Sequence, residues 1–392
     1  MVKRAYRFLL RPTTKQIHAL AACVEDHRQL YNAALQERRA AYQRAKVSVR
    51  YGEQSAQLKD IRRADPDQGR WSFSSQQATL RRLDKAMTAF FRRVKAGKTP
   101  GYPRFKGRGW FDSVQWPKDG DGCRWDSTPD SGQVRVYLQG IGHVRVHQHR
   151  KVAGRVKTIT VKREGRRWYV VLSCDDVPAQ PLPPTGHTVG IDMGVAAFLT
   201  TSDGVQVANP RHGRVAAARL AAAQQQMTRY GHGSYRRRKN RERIAAHHRK
   251  IRRQRLDHAH KIALWLVRHH DVIAHEDLRI SNMTRSATGT MQQPGSNVAQ
   301  KAGLNRSILD AGWGQFLTIL AGKAESAGRL VIAVDARHTS RTCPDCGHRV
   351  RENRVTQAEF VCVACGYLAH ADVNAAQNIL RAGLALQTAT AA

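Results

Sequence analysis

The sequence of 392 residues predicts an α/β fold in its second half, and a helical region followed by a β-rich region in its first half. A proline-rich segment at 177–186 separates the two halves and predicts a domain boundary. Strand-like and helical segments alternate after this boundary, as expected for an α/β domain. Two pairs of cysteines near the end of the chain predict a small metal-binding lobe.

The first half begins with a predicted strand. Residues 4–10 alternate between polar and apolar side chains, and Pro12 closes the strand. Thr13 and Gln16 resemble a capping box, after which the apolar residues follow helical spacing. A second helical pattern runs from about 75 to 94, so the pattern predicts a helical region directly after the first strand.

A loop rich in glycine, proline and basic residues, at 97–110, leads into predicted β structure from about 111 to 175. This β region includes a hairpin that turns at Glu164 and Gly165. Aromatic side chains in and just after the loop are interleaved with arginine and lysine, a mixture that can stack on nucleic-acid bases. The same aromatics could instead pin the loop to the domain, and both interpretations stay open. They are Tyr102, Phe105, Trp110 and Phe111.

The second half opens with strand-like residues at 189–201 that end in a Ser-Asp-Gly turn, which predicts a β-hairpin. The further predicted elements are a helical region at 211–270, a buried strand at 271–280 that ends in acids, a helix near 306–326, a strand at 330–334 and a final helix from near Asp372.

The charge balance indicates a polyanionic partner. The chain has 66 Lys and Arg against 30 Asp and Glu, a formal net charge of +36, which is far more than solubility requires. Nucleic acid is the usual partner for such a chain. The alternative is a basic protein from an arginine-rich proteome, which accounts for part of the excess.

The densest basic run predicts a contact with nucleic-acid phosphates. On a helix its side chains cannot share one face, so the run is expected to face solvent or to be wrapped by nucleic acid. The alternative is a solvated charged helix, although so dense a like-charge run repels itself without a polyanion. The candidate contact residues are Arg236, Arg237, Arg238, Lys239, Arg241, Arg243, Arg249, Lys250, Arg252 and Arg253.

The other cysteines indicate the compartment. Cys23, Cys123 and Cys174 are isolated, which does not resemble a disulfide framework and favours a reducing cytoplasm. The N-terminal sequence lacks an apolar core of signal-peptide length. No stretch is long and apolar enough to predict a membrane span, so we expect no membrane partner.

The four remaining cysteines, Cys343, Cys346, Cys362 and Cys365, have the spacing C-x2-C-x15-C-x2-C. Each CxxC turn can present two thiolates to one ion, and two turns complete a tetrahedron, which predicts a structural Zn²⁺ site. A glycine follows the second cysteine of each pair and suits the tight turn. The alternative is two disulfides or reduced core cysteines.

Three acids could form a second metal site. Asp192 is read as a mid-strand residue between apolar neighbours, Glu276 ends an apolar run, and Asp372 falls near the start of the last helix. Their alternatives are an acid paired with an arginine, a surface acid and a helix N-cap, respectively. Together their carboxylates would suit two Mg²⁺ or Mn²⁺ ions roughly 3.5–4 Å apart, an arrangement that hydrolyses phosphodiesters.

Several of these motifs occur together in one known family. The segments GIDMGV, AHEDL, the two CxxC pairs and HADVNAAQNIL stand in the order found in TnpB (OrfB) proteins of bacterial insertion sequences. The opening YRFLLRPTTKQ and the segment GYPRFKGR resemble the N-terminal half of that family. The resemblance covers essentially the whole chain.

The resemblance implies an RNA-guided, metal-dependent DNA endonuclease related to the ancestors of type V CRISPR effectors. Its catalytic acids would be Asp192, Glu276 and Asp372, and its zinc ligands the four paired cysteines. Its partners would be a guide RNA derived from the transposon end and double-stranded target DNA with a short flanking motif, bound by a monomeric ribonucleoprotein. A catalytically silent RNA-guided regulator and a conventional transposase with an RNase H-like fold are the alternatives, and the intact acid set disfavours the first.

The resemblance also implies a domain organisation. A RuvC-like nuclease domain of RNase H-like fold would contain an inserted zinc ribbon, and a wedge β-barrel would contain an inserted helical recognition domain. The expected bounds are 1–12 and 111–183 for the wedge, 13–110 for the recognition domain, 184–342 and 366–392 for the nuclease domain, and 343–365 for the ribbon.

Overall fold

The computed structural model describes residues 2–391, and it divides into one compact unit that ends at Pro178 and a second that begins at Ala179. The division falls within the proline-rich segment. The first unit contains β1 Val2–Arg11, α1 Thr14–Ala45, α2 Tyr51–Ala64, α3 Pro66–Gly69, α4 Phe73–Lys95, β2 Ser113–Trp116, β3 Cys123–Arg124, β4 Arg135–Leu138, β5 Gly142–His147, β6 Arg155–Glu164 and β7 Arg167–Val177.

The strands of the first unit form one antiparallel sheet of order β2-β6-β7-β1-β5-β4-β3, which makes a nearly closed barrel. The predicted strand at 4–10 is β1, and the predicted hairpin at Glu164 and Gly165 joins β6 to β7. Alternate residues of these strands point inward, as the burial of Phe8, Val170 and Leu172 shows.

The helices of the first unit lie between β1 and β2 in the sequence. The predicted capping box is present, since the Thr13 hydroxyl accepts from the Gln16 backbone and the Gln16 side chain accepts from the Thr13 backbone. Sequence reasoning did not identify α2, whose buried face consists of Gln54 and Leu58. A face with one apolar residue gives no helical stripe to detect.

The second unit contains β8 Thr188–Asp192, β9 Ala197–Thr201, β10 Gln206–Ala208, α5 His212–Thr228, α6 Tyr235–His269, β11 Val272–Glu276, α7 Ile280–Met283, α8 Val298–Ala311, α9 Trp313–Ala327, β12 Leu330–Val334, β13 Glu359–Val361, β14 Leu368–His370 and α10 Ala371–Ala391. Its main sheet has the order β10-β9-β8-β11-β12, with β8 to β10 antiparallel and β8, β11 and β12 parallel. The α/β prediction for this half is therefore confirmed.

Helices cover both faces of this sheet. A large apolar core joins the sheet to α6 and α9, and a smaller one, built on Ala274, Val334 and Ile379, joins it to α10. Helix α10 approaches β8 so closely that a Cβ at Gly190 would lie 2.0 Å from the Ala376 carbonyl oxygen. Gly190 therefore permits close backbone packing, one of the uses expected of a glycine within a strand.

Two predictions about this unit were wrong. Asp192 is the last residue of β8 rather than a mid-strand residue, because the strand-like run at 189–201 is two strands separated by a turn. The helix predicted near 306–326 is two helices that meet at Gly312: α8, which begins earlier than predicted, and α9. Gly312 has a φ of 75°, a conformation that ends a right-handed helix.

No helix among the described residues is long and apolar enough to cross a membrane.

Candidate active site and metal centre

Two of the three candidate acids end neighbouring parallel strands. Ile191 of β8 pairs with His275 of β11, so Asp192 and Glu276 each follow this pair by one residue. Because the strands are parallel and in register, both carboxylates leave the sheet at the same edge. Both side chains are half-buried and therefore remain accessible to a ligand.

Asp372 reaches this edge from the first turn of α10, which packs against β8 and β11. Burial and, after it, the charges of Glu276 and Asp372 together raise the pKa of Asp192 to about 7. Burial also raises the pKa of Glu276. The structure therefore brings all three acids into one electrostatically coupled group in the second unit.

A bound cation would reduce the repulsion among the three carboxylates. Carboxylate oxygens are donors that suit hard divalent cations. Among residues 2–391, the donor atoms of the four paired cysteines lie within 4.8 Å of one another. No set of three acids in this part of the chain brings its carboxylate oxygens that close together. The three acids are therefore gathered less tightly than the four thiols.

Two residues that contact the acids, Thr339 and Arg354, were not identified from the sequence. Thr339 is buried and its hydroxyl donates a 2.6 Å hydrogen bond to Glu276 Oε1, which opposes the rise in the Glu276 pKa. The Asn378 amide donates to the Thr339 carbonyl oxygen at 2.9 Å and to the Thr342 carbonyl oxygen at 2.7 Å. Asn378 of α10 therefore fixes the loop that contains Thr339, and Thr339 in turn fixes the Glu276 carboxylate.

The second missed residue is Arg354, which lies between the two cysteine pairs. Its guanidinium is 3.6 Å from Asp372 Oδ1 and lowers the pKa of Asp192. The cysteine lobe thus places a cation beside the acids. Nothing in the sequence distinguishes Arg354 from the many other arginines, because the contact depends on the fold.

The four paired cysteines converge as their spacing predicts. The Cys343 and Cys365 sulfurs are 3.7 Å apart, and those of Cys346 and Cys362 are 3.5 Å apart. A disulfide requires about 2.05 Å, so the disulfide alternative does not fit. Zn–S bonds of about 2.3 Å would place tetrahedral sulfurs about 3.8 Å apart, close to the observed spacing.

The local backbone supports metal binding by these thiols. Gly347 and Gly366 have φ values of 77° and 76°, the left-handed conformation that favours glycine in a tight turn. The pKa values of the thiols diverge. Although burial raises that of Cys362, hydrogen bonds from the Cys365 and Ala364 backbone and from the Cys346 and Cys365 side chains lower it to about 6. A hydrogen bond from the Tyr367 backbone lowers the pKa of Cys365, but its contacts with Cys346, Cys362 and Cys343 and its burial outweigh that bond and raise the pKa to about 12. β13 and β14 form a two-stranded sheet beside the cluster.

The predicted basic run lies on α6, a helix of 35 residues. Arg237 is half-buried and donates to the carbonyl oxygens of Met227 and Tyr230 at the end of α5, so it stabilises the turn between the helices. Arg249 is also half-buried, whereas the other eight side chains of the run are exposed. The helix therefore presents most of the run to solvent, where phosphates could reach it.

Three family models match parts of the chain. A "Helix-turn-helix domain" of the OrfB/IS605 family matches residues 1–46, the "Probable transposase" model of that family matches residues 158–287, and a "Cas12f1-like, TNB domain" matches residues 313–379.

Relatives match over nearly the full length. The chain is 35% identical to the "Putative RNA-guided DNA endonuclease InsQ" of Escherichia coli (strain K12), over 98% of this chain and 93% of that protein. The chain belongs to the TnpB (OrfB) family. A "Putative RNA-guided DNA endonuclease" of Streptomyces pristinaespiralis is 31% identical to this TnpB-family chain, over 98% of this chain and 90% of that protein.

A cryo-EM structure of a Cas12f1–sgRNA–target DNA complex aligns over 97% of this TnpB-family chain and 99% of the Cas12f1 chain, with 16% identity and a TM-score of 0.35.

Proposed function

We propose that this chain is an RNA-guided DNA endonuclease of an insertion sequence. Two relatives named as putative RNA-guided DNA endonucleases match over 98% of the chain. The observation that carries the proposal is the convergence of Asp192, Glu276 and Asp372 at one sheet edge, with burial and mutual repulsion raising the Asp192 pKa to about 7. Half-buried acids with raised pKa values, such as Asp192 and Glu276, are typical of a catalytic site.

The proposed catalytic ligands of Mg²⁺ or Mn²⁺ are Asp192, Glu276 and Asp372. Two such ions would supply an activated water and stabilise the leaving oxygen of a phosphodiester. The protein's own contribution is positioning, because Thr339 fixes one oxygen of Glu276 and Asn378 fixes the Thr339 backbone. Arg354 would offset negative charge beside Asp372.

The proposed cofactor of the four paired cysteines is a structural Zn²⁺ ion. Four thiolates leave no open coordination position, so this ion would stabilise the lobe without taking part in the reaction. The sulfur separations of 3.5 and 3.7 Å support this proposal. The lobe carries Arg354, so zinc would also fix a cation beside the acids.

The proposed domain organisation follows the resemblance. A wedge barrel would comprise 1–12 and 111–183, and its helical recognition insertion 13–110. A RuvC-like domain of RNase H-like fold would comprise 184–342 and 366–392, and its zinc ribbon 343–365. Met1 and Ala392 lie outside the described residues. The nearly closed barrel of the first unit and the mixed sheet of the second support this organisation.

The proposed partners are a guide RNA derived from the transposon end and double-stranded target DNA with a short flanking motif. Base pairing with the guide would select the target, and the protein would bind the nucleic-acid backbone. The exposed side chains of α6 would contact phosphates. We further propose that the chain acts as a monomeric ribonucleoprotein in the cytoplasm, where the DNA lies.

The direct test is to co-express the chain with its transposon end, purify the complex, and sequence the RNA that it retains. DNA that matches the RNA is then incubated with the complex and Mg²⁺, next to a library of flanking sequences. We expect cleavage of the matching DNA beside a subset of flanking sequences. Absence of a defined RNA, or cleavage unrelated to its sequence, would refute the proposed function.

A further inference from the structure

The first unit contains a groove of about 1050 Å³ that the proposed catalytic mechanism does not use. The second half of α1, the second half of α4 and the loop around Tyr102 form its walls. A drug-sized ligand such as a nucleoside occupies a pocket of roughly 300–1000 Å³, so this groove has room for stacked bases.

Aromatic side chains line the groove and face water. Tyr42 is 57% exposed, Phe91 58%, Tyr102 41% and Phe105 45%. Phe90 contacts Phe91 and Tyr102 edge to face, with ring centroids 5.0 and 5.2 Å apart, which fixes the orientation of both rings. A contiguous exposed aromatic surface is typical of a binding site.

A buried arginine lies in the same wall. Arg38 is 6% exposed, and it donates from Nε to Gln54 and from Nη1 to Asp84. Its third nitrogen, Nη2, is buried and has no hydrogen-bond partner among residues 2–391. A guanidinium stays charged, so a buried N–H without an acceptor is costly unless a ligand supplies the acceptor.

The charge of the lining points to an anionic ligand. Arg39, Arg50 and Arg104 line the groove together with Arg38, against the single acid Asp84. A second copy of the chain would bring the same cations against each other. Flat apolar rings flanked by arginines instead match a nucleotide, whose base stacks on the rings and whose phosphate accepts from guanidinium groups.

We propose that this groove binds unpaired nucleotides of the guide RNA. The inference rests on the proposed function, because it requires that the chain carries an RNA. The guide RNA stays bound when no target is present, so it can cover this aromatic surface at all times, whereas target DNA is transient. Protein recognition of RNA commonly uses unpaired bases that stack on aromatic and arginine side chains.

The test uses full-length chain and the RNA that co-purifies with it. Phe91→Ala is expected to weaken re-binding of this RNA roughly 5- to 150-fold, the range for loss of one base–aromatic stack. Phe91→Leu should weaken binding nearly as much, because leucine keeps apolar area but lacks a π face, and Phe91→Trp should restore it. Val215→Ala, at another exposed apolar residue, is the matched control and should leave binding unchanged.

Salt dependence separates the two kinds of contact. Arg104→Gln should reduce the slope of log affinity against log salt concentration by about 0.7, the value for one contact with a single-stranded phosphate. The Phe91 variants should lower affinity without changing this slope. Wild-type melting temperatures for both variants would show that the effects do not arise from unfolding.

Cross-linking locates the partner. With 4-thiouridine in the RNA, ultraviolet light should link RNA to peptides that contain Phe91, Tyr102 or Phe105. The inference is overturned if these peptides cross-link only to thiolated DNA. It is also overturned if the Phe91→Leu variant binds RNA like wild type, or if this variant changes the oligomeric state of the protein rather than its RNA binding. If any of these results is obtained and the wild-type protein still performs RNA-guided cleavage, the groove does not bind the guide RNA but the proposed function is unaffected.

Discussion

The close approach of α10 to β8 makes Gly190→Ala the most informative change to the fold. The added Cβ would lie 2.0 Å from the Ala376 carbonyl oxygen, and Cβ contacts below 3.0 Å essentially do not occur. The helix must therefore retreat by about 1 Å, the difference between these two distances. The obstructing atoms belong to the helix backbone, so a change of side-chain rotamer cannot relieve the clash.

This displacement should affect both stability and activity. Overpacking of a core costs about 1–3 kcal/mol, which should appear as a lower midpoint of denaturant unfolding. Asp372 lies on the same helix, so the retreat would misplace one of the three proposed catalytic acids. A misplacement of about 1 Å can reduce a reaction rate roughly 100-fold, which a single-turnover cleavage assay of the Gly190→Ala ribonucleoprotein would measure.

Gly322→Ala is the matched control in the same unit. Gly322 lies within α9, and a Cβ there would meet no atom within 4 Å. It should stabilise the protein by about 0.5–1 kcal/mol, because alanine favours the helix over glycine. If Gly190→Ala unfolds and cleaves like wild type, the proposed role of α10 in presenting Asp372 is incorrect.

Three further predictions follow from the site. Thr339→Val should raise the Mg²⁺ concentration for half-maximal cleavage roughly 10- to 100-fold, while Thr339→Ser retains the hydrogen bond and the wild-type value. Removal of zinc by a chelator should lower the melting temperature and the cleavage rate together, and stoichiometric zinc should restore both; an undiminished rate would contradict the role of the lobe. In metal-free protein, burial of Asp192 should reduce the free energy of unfolding by up to about 4 kcal/mol as pH rises from about 4 through 7, because the native state binds the proton more tightly there than the unfolded state. Urea titrations of wild type and Asp192→Asn should differ in this slope, and equal slopes would contradict the raised pKa.

Local patterns offered the three acids only as candidates: Asp192 stands among apolar neighbours, Glu276 ends an apolar run, and Asp372 lies near the start of a helix. The resemblance to the TnpB family singled out these three from the other acids of the chain. The end of β8 was misplaced because Met193 is buried and prolongs the apolar run beyond the strand. The break at Gly312 was missed because the helical periodicity continues on both sides of it.

Contacts between distant residues could not be predicted from local patterns. Thr339 and Glu276 are 63 residues apart in the sequence, and Arg354 approaches Asp372 only because the cysteine lobe folds back beside α10. The sequence left the role of the loop aromatics open between stacking on bases and pinning the loop, and only the fold separates buried from exposed rings. Phe111 is buried and pins the loop, whereas Tyr102, Phe105 and Trp110 are exposed.

The central claim is that Asp192, Glu276 and Asp372 cleave DNA that a bound RNA selects. The most direct measurement compares wild-type and Asp192→Asn ribonucleoproteins on a matched target with Mg²⁺, recording target binding and cleavage separately. The replacement keeps the side-chain shape and removes its charge. We predict that the variant retains its RNA and binds the target but does not cleave it; cleavage at the wild-type rate would contradict the catalytic assignment.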